Sequence, residues 1–190
     1  MKKYLALCIV VLFLSCKGNG QSPDPNETVP DSEPDFVFSG YYDDLLTLEL
    51  ASRISGFEPS SARKTHILKG MTGEILRYNW ENGREIVKEK SETNRKRKVS
   101  FLTDIVEIKW VASETDMESF LLFIDLEKYP EKMKVNDVGE SAYWNPTKEN
   151  LEVYYNGVSF TLKVDISDDV ITDKEKTSAL AKQIIEEQLK

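Results

Sequence analysis

Few side chains in this sequence could make or break a bond. His66 is the only histidine. A Ser–His–Asp triad would have to use it, and no G-x-S-x-G turn is present to carry the serine. A surface or strand-edge position is expected for His66. Asp165, Asp168, Asp169 and Asp173 crowd one short stretch. Oxygen-rich clusters can hold calcium, but this spacing is not an EF-hand loop. Asp173 also suits the first turn of a helix, where the dipole favours negative charge. Arg95-Lys96-Arg97-Lys98 is a compact basic run in an acidic protein. It suits a docking patch for an acidic partner or anionic sugar, and equally a solvated loop or strand end. Gly70-Met71-Thr72-Gly73 lacks the G-x-x-x-x-G-K-[ST] spacing of a phosphate loop. Tyr154 and Tyr155, adjacent on an expected strand, must point to opposite faces, so one of them is expected outward, in a position to line a glycan or peptide groove. With no paired catalytic motif, the residues favour contact over catalysis. The expectation is a protein that is not an enzyme and uses no metal or cofactor. Arg95, Lys96, Arg97, Lys98, Tyr154 and Tyr155 are its candidate partner-binding residues.

The cysteines raise a different question. There are 2, Cys8 and Cys16. Lys2 and Lys3 precede an unbroken apolar run, YLALCIVVLFL, from Tyr4 to Leu14. Its length is that of a signal-peptide core, about 7–15 residues, and well short of the roughly 20 that span a bilayer. Cys8 would leave with such a signal. Cys16 would then have no partner for a disulfide. A free terminal thiol is a liability in an oxidising compartment; an acylated one is not. The alternative is an ordinary secretory signal cut near Gly20-Gln21, with Cys16 discarded.

Phe13-Leu14-Ser15-Cys16 resembles the lipobox of bacterial lipoproteins, in the relaxed form common in Bacteroidota-type members. The resemblance implies that residues 1–15 are a signal peptide and that Cys16 is acylated and becomes the first residue of the mature chain. It also implies a cell-envelope protein held to a membrane by its lipid. Lys17 stands where an Asp would suggest inner-membrane retention, so the outer membrane is implied, with the domain facing the periplasm or the surface.

Residues 17–38, KGNGQSPDPNETVPDSEPDFVF, are dominated by Gly, Asn, Ser, Pro and acids, with few apolar side chains before Phe36. Such composition buries too little surface to offset its ordering entropy. Residues 16–38 are therefore expected to be an acylated cysteine and a disordered Pro-rich tether, and 39–190 a single domain. Removing residues 1–15 removes two lysines and no acid, so the mature balance is (25 − 2) − 33 = −10. That bulk charge argues against nucleic acid and anionic lipid as charge-driven partners.

Elements must position whatever the domain presents. Leu45–Gly56 reads as a helix with Thr47 as N-cap and Gly56 as the left-handed C′ residue. Ile75–Glu81 and Arg84–Glu89 flank Asn82-Gly83, a hairpin signal. Ile105–Val111 reads as a strand with Val106, Ile108 and Trp110 inward. Thr115-x-x-Glu118 resembles a capping box before the apolar run Phe120–Ile124; residues 119–127 read as helix, with a buried strand as the alternative. Ala142–Trp144 is a short strand. Leu151–Tyr155 and Val158–Ile166 flank a second turn, Asn156-Gly157. Thr172-x-x-Glu175 opens a closing helix with Leu180, Ala181, Ile184 and Ile185 buried. The order predicts an α+β domain, an antiparallel sheet with helices packed on one side.

Val138-Gly139-Glu140-Ser141-Ala142-Tyr143-Trp144, followed by the Asn156-Gly157 hairpin and the closing helix, loosely resembles small bacterial lipoproteins with a PsbP-like fold. That likeness, over roughly 135–190, implies a fold and a non-enzymatic role and brings no catalytic residues. The functional expectation is a non-catalytic envelope lipoprotein whose tethered domain binds a protein or small-ligand partner. The alternatives are a periplasmic immunity-type protein that neutralises a toxin, and a carboxylate-dependent hydrolase.

Overall fold

The computed structural model describes residues 39–68, 73–81 and 104–190. Cys16, the run Arg95–Lys98 and the segment Arg84–Glu89 lie outside these residues. Seven strands form one antiparallel sheet in the order β1-β2-β3-β7-β6-β5-β4. In chain order they are β1 (Arg63–Ile67), β2 (Ile75–Trp80), β3 (Asp104–Ala112), β4 (Met133–Lys134), β5 (Ser141–Asn145), β6 (Asn150–Tyr155) and β7 (Val158–Asp165). Four helices accompany them: α1 (Tyr42–Leu45), α2 (Leu48–Ser55), α3 (Met117–Ile124) and α4 (Val170–Gln188). The expected α+β class stands. Two meanders, β1 to β3 and β4 to β7, meet where β3 pairs with β7.

Side-chain alternation divides the sheet. Leu76, Tyr78, Trp80, Val106, Ile108, Trp144, Leu151, Val153, Phe160, Leu162 and Val164 share one face and form the main core with Leu45, Leu46, Leu50, Leu180, Ala181, Ile184 and Ile185 from α1, α2 and α4. These three helices cover one side, but the expectation that all helices share it does not hold, because α3 packs on the other. The opposite, outer face carries a second small cluster. There α3 packs Phe120 and Ile124 onto Tyr143 and Tyr154.

Capping chemistry sets the helix ends. Thr47 Oγ1 accepts from the Leu50 N–H (3.1 Å), and Gly56 closes α2 in the left-handed conformation. At α3 the cap is Asp116 rather than Thr115: its carboxylate accepts from the Ser119 N–H at 2.6 Å. At α4 the cap is Asp169 rather than Thr172, accepting from the Ile171 and Thr172 N–H groups. In both places a nearby carboxylate, just after Thr115 and just before Thr172, outcompetes the Thr of the expected box, because an ionised acceptor bonds orphan amides more strongly. Residues 117–124 are helix, so the strand alternative falls.

The Asn156-Gly157 turn joins β6 to β7 with Tyr155 opposite Val158. Both central residues have positive φ (45° and 77°), as a two-residue turn of this hand requires. Over Ile75–Trp80, β2 has β1 on one edge and β3 on the other. Asn82-Gly83 and Arg84–Glu89 lie outside the described residues. β1 itself has no apolar alternation and lies at the sheet edge.

Trp110 departs from its expected place. β3 keeps register with β7 through Lys109, then shifts before Ala112. Trp110 sits in this bulge with φ 53°. A bulge inserts one residue and re-aims the next side chain. Val106 and Ile108 enter the core as expected, whereas Trp110 turns to the outer face and stays partly exposed.

Candidate functional site

The outer face is built from the strand positions that alternate with the core. Glu107 and Lys109 on β3, Thr161 and Lys163 on β7, and Asn150 and Glu152 on β6 share it, with Thr161 opposite both Lys109 and Glu152. Their charges are paired. Arg77 donates to Glu107 through Nε at 2.8 Å and through a second guanidinium nitrogen. Lys109 lies 3.4 Å from Glu107, and Lys163 lies 3.3 Å from Asp165 and 3.4 Å from Glu149.

The deepest pair is Lys132–Glu152. Their charged atoms are 2.9 Å apart, with side chains only 3% and 2% exposed. Lys132 Nζ also donates to the Ile124 carbonyl at 2.7 Å, in the last turn of α3. A cation there meets the negative end of the helix dipole. One lysine thus pins the C-terminus of α3 to the sheet. Beside it, the Thr161 hydroxyl and the Asn150 amide are buried with no hydrogen-bond partner among the described residues.

Three aromatic rings and four lysines, two of them from this floor, meet on the outer face. Lys109 Nζ lies 4.6 Å from the centroid of the Trp110 ring, and Lys148 Nζ lies 5.8 Å from it. The Phe123 ring meets Trp110 edge to face, centroids 6.1 Å apart at 76°. Lys128, Lys132 and Lys148 lie 5.1, 5.0 and 5.6 Å from the Tyr129 centroid. Hydrogen bonding to Tyr129, and the charge of that phenol, hold the Lys128 ammonium above its usual range. Gly73 makes the close approach feasible: a Cβ there would stand 2.9 Å from Trp110 Cδ1.

Two of these lysines have carboxylates to neutralise them, Glu107 for Lys109 and Glu152 for Lys132. Among the described residues no carboxylate forms an ion pair with Lys148. The cluster is a locally cationic aromatic surface on a protein of net negative charge. Cations over ring faces are held by the ring quadrupole, and an unneutralised ammonium beside a flat apolar surface accepts an anionic group. Nothing in the cluster is a nucleophile with an adjacent base.

The sequence-predicted residues lie elsewhere. Tyr154 and Tyr155 do take opposite faces. Tyr154 is buried against Phe120, with ring centroids 5.6 Å apart, and Tyr155 packs at the margin of the main core. Neither ring joins the cluster. His66 lies on edge strand β1, Nε2 2.8 Å from Glu74 Oε1. The aspartates before α4 have structural work. Asp169 is the N-cap, and its hydrogen bonds from Thr172 and Ile171 hold its carboxyl below the usual range. Asp173 accepts from the Ile166 N–H and from Ser167 Oγ. Among the described residues no three His, Cys, Asp or Glu side chains are grouped to hold a metal, and no helix is long and apolar enough to cross a membrane.

Sequence reasoning missed Lys148, Tyr129 and the outward Trp110. The one local signal for the last was Lys109 directly before it, since a Lys-Trp step leaves the facing ambiguous. Comparison with protein-family models, curated proteins and solved structures finds no match for this chain.

Proposed function

We propose that this chain is a non-catalytic cell-envelope lipoprotein, tethered through an acylated Cys16, whose α+β domain binds a protein or small-ligand partner bearing an anionic group. The PsbP-like likeness of residues 135–190 belongs to this proposal. Its structural support is the bulge at Trp110. A bulky residue at φ 53° is an uncommon conformation, and such conformations cluster at sites where a side chain must be aimed. Here the cost places an indole on the outer face beside Lys148, instead of in the core where alternation would put it. Hydrophobic burial would favour the inward position; the outward one gains contact with a partner.

The test is affinity capture of the full-length protein from intact cells, alongside Trp110→Ala and Lys148→Glu, with native mass spectrometry of the eluate for small ligands. A species retained by wild type and reduced at least tenfold by Lys148→Glu supports the reading. Equal retention by all three proteins, or retention of nothing, counts against it.

A further inference from the structure

The floor of the outer face holds polar atoms that the fold leaves unanswered. Asn150 is 0% exposed and Thr161 1%. Neither end of the Asn150 amide, nor the Thr161 hydroxyl, has a hydrogen-bond partner among the described residues. Such atoms are costly and uncommon in native folds, and each calls for a role. These two side chains are neighbours. Thr161 lies opposite Glu152, and Asn150 precedes Glu152 by one strand period on the same face of β6.

The surrounding side chains form an arch over Thr161. One foot is Lys109 and the other is Glu152, the two cross-strand neighbours of Thr161. From Lys109 the arch runs through Trp110, Lys148, Tyr129 and Lys132, each ammonium over the ring beside it. Lys132 closes it through its ion pair with Glu152. Lys148 is the exposed member, and no carboxylate among the described residues pairs with it. Its backbone is fixed in place. Asn145 Oδ1 accepts from the N–H groups of Thr147 and Lys148, both at 3.1 Å, and Asn145 pairs with Asn150 across β5 and β6. Its side chain is not fixed, because exposed side chains change rotamer within nanoseconds. Lys148 is therefore the member that yields to an incoming ligand.

We infer that this arch and its floor bind an α-carboxylate with an N–H on the adjacent carbon, the group shared by a free amino acid and a peptide C-terminus. The inference rests on the proposed anion-binding role of this face and names the ligand class. Each requirement comes from one group. The unpaired Lys148 ammonium calls for a single negative charge. The Asn150 amide presents one donor and one acceptor whichever way it is turned, so its ligand must accept and donate side by side. The Thr161 hydroxyl donates to a carboxylate oxygen. A simple carboxylate or a sulfate offers no donor and leaves Asn150 Oδ1 unanswered. Trp110 supplies a flat apolar face for the ligand's side chain. A water molecule answers the floor but brings no charge to Lys148 and no apolar contact to the indole.

Isothermal titration calorimetry on the full-length chain tests this with leucine, N-acetyl-leucine and 4-methylpentanoate. The last keeps leucine's carboxylate and side chain without the N–H. The expected result is saturable binding of leucine or N-acetyl-leucine, with 4-methylpentanoate about tenfold weaker or worse, the order of one lost hydrogen bond. The tighter of the two names the source, a free amino acid or a chain end. Thr161→Val and Asn150→Leu keep the shape of the floor, and each should weaken the preferred probe about tenfold. Urea unfolding of the two variants checks that they remain folded. If 4-methylpentanoate binds as tightly as leucine, and Lys148→Glu abolishes that binding while Thr161→Val does not, the inference is overturned and the anion-binding reading stands. If no probe binds wild type, the inference is overturned as well, and partner capture with Lys148→Glu decides the anion-binding reading separately.

Discussion

Replacing Lys132 by methionine removes the cation that faces Glu152 and leaves the aliphatic stem's volume nearly unchanged. Glu152 would then sit with its carboxylate buried and uncompensated. The Ile124 carbonyl would lose its donor at the same time. Breaking a buried pair by deleting one partner costs about 3–5 kcal/mol. Against a typical total of about 5–15 kcal/mol, that is a large share. For a domain of this size it corresponds to a fall in Tm of about 6–20 °C. Removing both charges, in Lys132→Met with Glu152→Leu, leaves no orphan and should return stability to within about 1–2 kcal/mol of wild type. Urea unfolding followed by far-UV circular dichroism measures both variants. Hydrogen exchange should show the single variant losing protection first in α3. If Lys132→Met costs less than about 1 kcal/mol, or the double variant is less stable than the single, then Lys132 does not hold α3 to the sheet as argued.

Three further outcomes follow from other parts of the fold. Thr161→Val removes a buried hydroxyl with no partner among the described residues and keeps the shape, so stability should stay level or rise by up to about 1.5 kcal/mol in urea unfolding; a clear loss would reveal a bond to that hydroxyl. Burial, with the nearby Asp43 charge second, pushes the Tyr78 phenol up to about 12. Because the folded value is raised, this contribution is complete below about pH 10 and is lost as pH climbs through about 12, a difference of about 2–3 kcal/mol; phenolate absorbance should show one tyrosine titrating late, and Tyr78→Phe should flatten that part of the stability profile. Gly73→Ala places a methyl against the Trp110 ring at a positive φ, so it should cost about 1–2 kcal/mol and shift the emission of that tryptophan, and a spectrum identical to wild type would show that the indole does not rest on Gly73.

Much of the main core could be read from pattern alone. The stripe Leu180, Ala181, Ile184, Ile185 repeats at helical spacing, and Leu151, Val153 and Leu162 alternate at strand spacing, so burial follows from period. Asn156-Gly157 and the Thr47–Gly56 pair of caps are local chemistry, decided within a few residues. What failed was decided farther away. β3 and β1 take the two edges of β2 over Ile75–Trp80, and no local rule can register that choice of neighbours. β1, Arg63–Ile67, is a polar strand because its edge position asks for no apolar face. Trp110 left its alternation through a bulge that only the pairing with β7 defines. Glu152 is a charged residue within a strand whose burial depends on α3 and on Lys132, twenty residues upstream. The candidate surface was illegible for the same reason. Lys109-Trp110, Phe123, Tyr129 and Lys148 lie on four separate segments, and the sheet order brings them together.

The central claim is that a lipid on Cys16 holds this domain at a membrane, and metabolic labelling with a palmitate analogue tests it most directly. The account predicts that the wild-type chain takes up label and partitions with membranes, and that Cys16→Ala does neither. Equal labelling of Cys16→Ala, or a wild-type protein that stays in the aqueous fraction, would contradict it.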